Sequence, residues 1–513
     1  MIRQTSILFF VLVVLTTTTG RASIAAAEPD ASRAVILSDS LQQLAADRWS
    51  TAGGQWRPGA SGITVTGGQG PRLMLTNQSL QDFELEVEVR TNAQAGVVFR
   101  VADSQPGVDA YRGYYVGVDA GAESILWGAS EGAWRQIASR PGPIDSSHWY
   151  RLRLIVRDAN VKVFVDNVAA GSTEFPIIDG IDQANRVGQV GLRSLGRESR
   201  FRNLVIRELE PLNAAPTYTN PLKPGIADPT VLLHEGIYYL YCTHSHDHPD
   251  MRRGIRLFTS PNLVNWDDRG YIVRNEDSWG DSRFWAPDII ERNGKFYLYY
   301  AADTRICVAV ADSPAGPFKQ IGDRPMSPDS IRIDAHVFQD DDGQCYFYYV
   351  HFNRGNEIWG GKLNDDMITV DESSLKRLIQ PDQGWERHQA PIAEGPEVLK
   401  HNGVYYLTYS GSHFESPEYA VGYATSDSPL GPWKKYQYNP IMKSTAYAHG
   451  TAHHCITESL DGKEKWIVYH RHFSLTETEP RQLSIDRLRF VPQDDGPDVL
   501  AVWGPTSSPQ PVP

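Results

Sequence analysis

A hairpin-like segment of about eighteen residues occurs five times in the C-terminal half of the chain, and a unit repeated at a fixed period must stack on its own copies. The copies are DPTVLLHEGIYYLYCTH from Asp228, APDIIERNGKFYLYYAA from Ala286, DAHVFQDDDGQCYFYYV from Asp334, GPEVLKHNGVYYLTYSG from Gly395 and HHCITESLDGKEKWIVYH from His453. Each reads as an apolar strand, a turn on a glycine and an aromatic strand, which is the pattern of a β-hairpin. The turn glycines are Gly236, Gly294, Gly343, Gly403 and Gly462, spaced 49 to 60 residues apart. That spacing leaves space for four strands per repeat, and five repeats predict a five-bladed β-propeller. A second duplicated element supports the count: SPNLVNW from Ser260, SPAGPF from Ser313 and SPLGPW from Ser428 each follow an apolar strand.

Ahead of the repeats the chain is also all-β. Phe83, Leu85, Val87 and Val89 alternate with Glu84, Glu86, Glu88 and Arg90, the period of a strand with one wet face. WYRLRLIVRDANVKVFVDN, from Trp149, supplies two more strands around an Asp-Ala-Asn turn, and FRNLVIREL closes the region. Many short strands without helical periodicity predict a jelly-roll β-sandwich over residues 35–210. This stretch resembles the concanavalin-like jelly rolls of laminin-G type and the domain type of 3-keto-disaccharide hydrolases. Residues 211–225, rich in Pro and small polar residues, read as a linker to a propeller over 226–500, and residues 501–513 as a disordered tail.

The N-terminus carries Arg3, the apolar run ILFFVLVVL and then Ala25-Ala26-Ala27, the pattern of a cleavable secretory signal over residues 1–27. Its apolar core is too short to span a membrane, so the mature chain is expected to be secreted or periplasmic, with no membrane span. A net charge of −13 argues against a nucleic-acid partner, since non-specific phosphate binding needs a basic surface. Cys242, Cys307, Cys345 and Cys455 show no CxxC spacing, which disfavours a cysteine zinc site; pairing in an exported protein and burial as free thiols are both open.

Registering the hairpins on their glycines, with one extra residue in the third and fifth, stacks Asp228, Ala286, Asp334, Gly395 and His453 in one column, with Glu394 just before Gly395. The first strand of each propeller blade lines the central channel, so three carboxylates and an imidazole converge at one end of it. Bringing unpaired acids together costs several kcal/mol, and such an arrangement generally has a function.

The ordered motifs ADPTV, WAPDIIERNGKFYLYY, IDAHVFQDDDG, AEGPEVLKHNGVYYLTYS and HGTAHHCI followed by WIVYHRH resemble glycoside hydrolase family 43, over roughly Asn220 to Pro492. The resemblance implies a five-bladed enzyme that hydrolyses glycosidic bonds with inversion, mostly in pentose-rich polysaccharides, and an exo-acting α-L-arabinofuranosidase or β-D-xylosidase as the leading expectation. It implies Asp228 as general base, Glu394 as general acid and Asp334 as the residue that tunes the donor's pKa. Inversion requires one carboxylate to activate water and a protonated one across the ring, about 6.5–9.5 Å apart. A third, ionised carboxylate beside the donor would keep it protonated. Glu397 is an acidic rival to Glu394, but it lies two residues into the hairpin, level with Thr230, Asp288 and His336.

His453 stands where the family places a channel histidine that in some members binds calcium or sodium; Ala452 replaces the family's preceding glycine, and a packed core histidine is the alternative. No cofactor is required by the implied chemistry. Trp285 is a candidate for stacking on sugar and Arg471 for contacting substrate hydroxyls, with core packing as the alternative for Trp285. The alternating His244, His246 and His248 lack a set metal geometry, and Asp-Gly in DDDG is explained by hairpin-turn chemistry. Retaining five-bladed enzymes of the invertase and levansucrase kind are disfavoured by the absence of WMNDPNG and RDP motifs. Other readings are an endo-arabinanase or galactosidase of the same family, a non-catalytic carbohydrate-binding propeller, which predicts a missing acid, and an active sandwich with the propeller as scaffold. In the sandwich, Trp56, Tyr111, Tyr114, Trp127 and Trp134 are stacking candidates that compete with core roles.

Overall fold

The computed structural model describes residues 34–166, 176–209, 216–244, 254–327, 329–352 and 354–513. The expected signal peptide, residues 211–215 of the expected linker, and His246 and His248 lie outside them. Among the described residues no helix is long and apolar enough to cross a membrane.

Residues Val35–Arg207 form two antiparallel sheets of eight and seven strands packed face to face. The alternation at Phe83–Thr91 places Leu85, Val87 and Val89 in the shared core, with Phe99, Tyr114, Trp127 and Tyr150. Tyr111, Tyr114 and Trp127 are buried, so these aromatics belong to packing; Trp56 and Trp134 are partly buried against the sandwich clusters.

Beyond the sandwich, five sheets form the propeller. Their innermost strands are Ile226–His234, Trp285–Arg292, Arg332–Gln339, Ala393–His401 and Ala452–Glu458, the first halves of the five sequence hairpins. Apolar clusters fill the spaces between blades: Tyr348 and Val350 of blade three meet Ala393, Val398 and Leu407 of blade four, for example. The second repeated element forms the turns after the third strands, where the Ser260, Ser313 and Ser428 hydroxyls accept backbone N–H groups two residues on, as in ST-turns. The ring is closed by Lys223–Pro224, which pairs with Gln482–Val491 and makes the N-terminal end of the propeller the outer strand of blade five.

Two expectations are corrected. Thr217–Tyr218 and Lys223–Pro224 are strands, so the second part of the expected linker belongs to the propeller; Pro224 is tolerated because it sits on a sheet edge. The expected disordered tail is ordered. Val499–Val502 joins blade five, and Gln510–Pro511 pairs with Thr217–Tyr218. Its polar side chains satisfy buried carboxylates: Thr506 Oγ1 donates to Asp486 Oδ1 at 2.6 Å, while Ser508 and Gln510 donate to Asp179 of the sandwich. A Pro- and Ser-rich segment without periodicity looks unstructured in sequence because these partners are distant in the chain.

The tail therefore straps sandwich to propeller. A second tie lies at the loop before blade five, where the Ala446 N–H donates to the Ile137 carbonyl at 2.8 Å and the Tyr447 hydroxyl donates to Asp182 of the sandwich. All four cysteines are buried and free. Thr506→Val keeps the side-chain shape but leaves the buried Asp486 short of a donor, with an expected loss of about 1–3 kcal/mol. A thermal melt of the full chain checks it, and an unchanged Tm would show that the strap does not contribute to stability.

Candidate active site

Each inner strand begins with a β-bulge, and the bulge is what points the first-column side chains into the channel. The ladder register slips between Ala227 and Thr230, Trp285 and Asp288, Ile333 and His336, Glu394 and Glu397, and Ala452 and His454. At each slip one residue adopts left-handed backbone: Asp228 (φ 45°), Ala286 (42°), Asp334 (53°), Gly395 (55°) and His453 (44°). For a residue other than glycine that conformation costs about 1–3 kcal/mol and persists only where surroundings enforce it. At four of the five the enforcement comes from side chains of the preceding blade. The bulge N–H of Asp228 donates to His470 Nδ1, that of Ala286 to Thr243 Oγ1, that of Gly395 to Asp334 Oδ2 and that of His453 to Ser410 Oγ, at 2.8–3.1 Å.

Asp228, Asp334 and Glu394 are all buried at this level. Asp228 lies in a cationic and donor-rich corner: Arg481 Nη1 is 3.0 Å from Oδ1, the Thr243 hydroxyl donates to Oδ2 at 2.7 Å, and His453 Nδ1 is 3.3 Å from Oδ1. Burial alone would raise its pKa, but the Arg481 guanidinium overrides it and holds Asp228 well below the ordinary carboxylate range. His470 receives the Asp228 N–H on Nδ1 and is therefore not protonated there; burial depresses its pKa to about 3, and it serves as a neutral acceptor.

Glu394 is held by two donors, Tyr419 Oη at 2.8 Å from Oε1 and Asn356 Nδ2 at 2.6 Å from Oε2. Burial nevertheless raises its pKa. Asp334 is raised as well, by burial first and then by the charges of Glu394 and Asp228. Two buried carboxyls that repel each other hold one proton as a pair. The Tyr419 and Asn356 donors favour the Glu394 anion, and the Gly395 N–H does the same for Asp334. An ionised Asp334 was the expectation from sequence; burial, invisible there, opposes it.

Glu397 lies one layer deeper. There a second ring of side chains meets backbone N–H groups of the next blade: Asp288 accepts from Val337, His336 from Val398, Glu397 from Ile456 and Cys455 from Val231. Residues of all five inner strands line a narrow cleft here, among them Thr230, Ala286, Asp334, Glu397 and His453. Asp288, His336 and Glu397 bring three donor atoms within 4.8 Å of one another, the spacing of a metal site. A backbone N–H can only donate, so Nε2 of His336 supplies the lone pair and its ring proton sits on Nδ1. Nδ1 is the atom facing Asp288 and Glu397, at 3.5 Å each, and a protonated nitrogen offers a metal no lone pair. The trio does not fit a resident metal; His453, the expected metal residue, lies outside it, with Nδ1 3.3 Å from Asp228 Oδ1.

Arg471, expected at the substrate, directs its Nε toward Gln482 at 3.5 Å, and the guanidinium on Asp228 is that of Arg481. Trp285 is partly buried against the cluster of Ala301 and Ile333. The sequence reading missed Arg481, Tyr419, Asn356, His470 and Thr243. His470 adjoins Arg471 in the quoted motif YHRH, but WIVYHR is apolar on both faces, so alternation alone does not say which side reaches the channel.

A propeller whose funnel gathers one carboxylate held ionised and a pair sharing a proton has the layout of a glycosidase, which needs one carboxyl of each kind across the scissile bond. Residues 218–496 match the model of glycosyl hydrolases family 43, and residues 42–207 match a 3-keto-alpha-glucoside-1,2-lyase-like domain. The chain belongs to glycosyl hydrolase family 43 and is an O-glycosyl hydrolase of that inverting family, whose catalysis needs no cofactor. It is 30% identical over 292 residues to a beta-D-galactofuranosidase of Aspergillus niger, covering 53% of this chain and 82% of that protein. A xylosidase/arabinosidase of Bacteroides ovatus is 26% identical, over 52% of this chain and 94% of its own. Among solved structures, a thermostable family-43 glycoside hydrolase aligns with TM-score 0.53 and 39% identity, covering 58% of this chain and 99% of that one. An endo-1,4-beta-xylanase from Bacteroides thetaiotaomicron aligns with TM-score 0.52 and 37% identity, over 56% and 97%.

Two outcomes follow from this geometry. Chelation with EDTA is expected to leave both Tm and turnover unchanged; a loss reversed by added calcium would show that the channel holds a metal. Arg481→Gln removes the charge that depresses Asp228, so the acid limb of the kcat/KM profile should move to higher pH. An unmoved acid limb would mean that Asp228 is not the group titrating there.

Proposed function

We propose that the protein is an exo-acting glycosidase that releases pentose units, as an α-L-arabinofuranosidase or β-D-xylosidase, with Asp228 as general base and Glu394 as general acid. The observation that carries this reading is the opposite electrostatic treatment of the two: Arg481 keeps Asp228 ionised, while burial beside Asp334 raises Glu394. Asp228 takes a proton from water as that water attacks the anomeric carbon, and Glu394 gives a proton to the departing oxygen. Asp334 positions the sugar and sets the proton's location. A sugar hydroxyl donating to Asp334 stabilises its anion and shifts the shared proton to Glu394, so substrate binding arms the acid. Arg481 takes the hydroxyl-contacting role expected of Arg471, and Trp285 and His453 line the sugar pocket.

The relatives' names support pentose substrates, since they include xylosidase/arabinosidase and an extracellular exo-alpha-(1->5)-L-arabinofuranosidase of Streptomyces avermitilis. A second reading, release of galactofuranose, is favoured by the Aspergillus relative. Export through the N-terminal signal fits both, because polymeric substrates lie outside the cell.

Asp228→Asn is expected to lower turnover of aryl glycosides by at least about 10³-fold with an unchanged circular dichroism spectrum; appreciable residual activity would place the base elsewhere. NMR of the freshly released sugar from a panel of nitrophenyl pentosides and galactofuranoside identifies the substrate and should show inverted anomeric configuration.

A further inference from the structure

Phe352 is 44% exposed at the end of the second strand of blade three, Cys345–Phe352, although aromatic side chains elsewhere in that strand are buried. Strand alternation gives its direction. Tyr348 and Val350 pack toward blade four, with Ala393, Val398 and Leu407, while Phe347 and Tyr349 pack toward blade two with Tyr299. Phe352 shares the parity of Tyr348 and Val350, so it stands on the face toward blade four. Its cross-strand partner is Asn356, and directly paired residues project to the same face. Asn356 reaches the acid: its Nδ2 is 2.6 Å from Glu394 Oε2. The hairpin end is held against blade four, where the Asn356 N–H donates to the Pro391 carbonyl at 3.1 Å and a Cβ on Gly355 would meet that carbonyl at 2.3 Å. An exposed aromatic residue thus stands at a strand end beside the group that holds Glu394.

From this placement we propose that Phe352 is the platform for the leaving-group sugar. The inference rests on the reading of Glu394 as the proton donor. A general acid must touch the oxygen of the bond being cleaved, so whatever departs with that oxygen lies on the acid's side of the funnel. An exposed aromatic ring at that place suits the apolar C–H face of a sugar. Phe352 therefore selects glycosides whose leaving group is itself a sugar, and it contributes nothing to the sugar held between Asp228 and Asp334.

The test compares two substrates on the full chain and on Phe352→Ala and Phe352→Trp: the disaccharide of the sugar that the wild type releases, and the glycosyl fluoride of the same sugar. Fluoride leaves without a ring to stack. Phe352→Ala is expected to lower kcat/KM on the disaccharide by about tenfold, with fluoride hydrolysis within about twofold of wild type and Phe352→Trp restoring the disaccharide rate. Equal losses on both substrates, or an unchanged disaccharide rate, would overturn the assignment. A wild type that turns over neither substrate would overturn the exo-acting reading of the site instead.

Discussion

The left-handed residue at the start of each inner strand is the constraint on which the rest of this structure depends. A bulge removes one N–H from its own ladder, and a buried N–H without a partner costs about as much as a lost hydrogen bond. Here four of the five orphans are taken up by the preceding blade: His470 for Asp228, Thr243 for Ala286, Asp334 for Gly395 and Ser410 for His453. The same bonds that close the propeller therefore hold the site. Thr243 shows both duties in one hydroxyl, accepting from Ala286 and donating to Asp228. Asp334 likewise holds the backbone that places Glu394, which ties the geometry of the acid to the residue sharing its proton.

That dual use explains the electrostatics. Channel side chains spend their lone pairs on backbone: His470, its pKa depressed by burial, is a neutral acceptor, and His336 accepts the Val398 N–H on Nε2. The positive charge on Asp228 comes instead from Arg481, beyond the inner strands. Carboxylates in the deeper ring, Asp288 and Glu397, accept backbone N–H groups of the next blade, while those of the upper ring, Asp228 and Glu394, are held by side-chain donors. Acidity alone does not mark the catalytic level; position relative to the bulge does.

The architecture was legible because its repeats are local: apolar strand, Gly turn and aromatic strand occur within each hairpin. The acids were legible because they interrupt that repeat, Asp228 and Asp334 against Ala286 and Gly395. The choice of Glu394 over Glu397 rested on register, and the structure sets Glu397 in the deeper ring. What the sequence did not reveal was long-range. Arg481 meets Asp228 across 253 positions of chain, and Tyr419 comes from a loop with no periodicity to place it. The tail read as disordered because Thr506, Ser508 and Gln510 show their purpose only beside Asp486 and Asp179.

By itself the sequence determined the blade number, the all-β sandwich ahead of it, and which three acids share one end of the channel, since these follow from periodicity and from departures within it. Tertiary structure decided the electrostatic surroundings of those acids, the guanidinium that serves Asp228, the poor fit of Asp288, His336 and Glu397 to a metal, and the ring beside Glu394. Those properties depend on burial and on distances between blades, and both are set only when the ring closes.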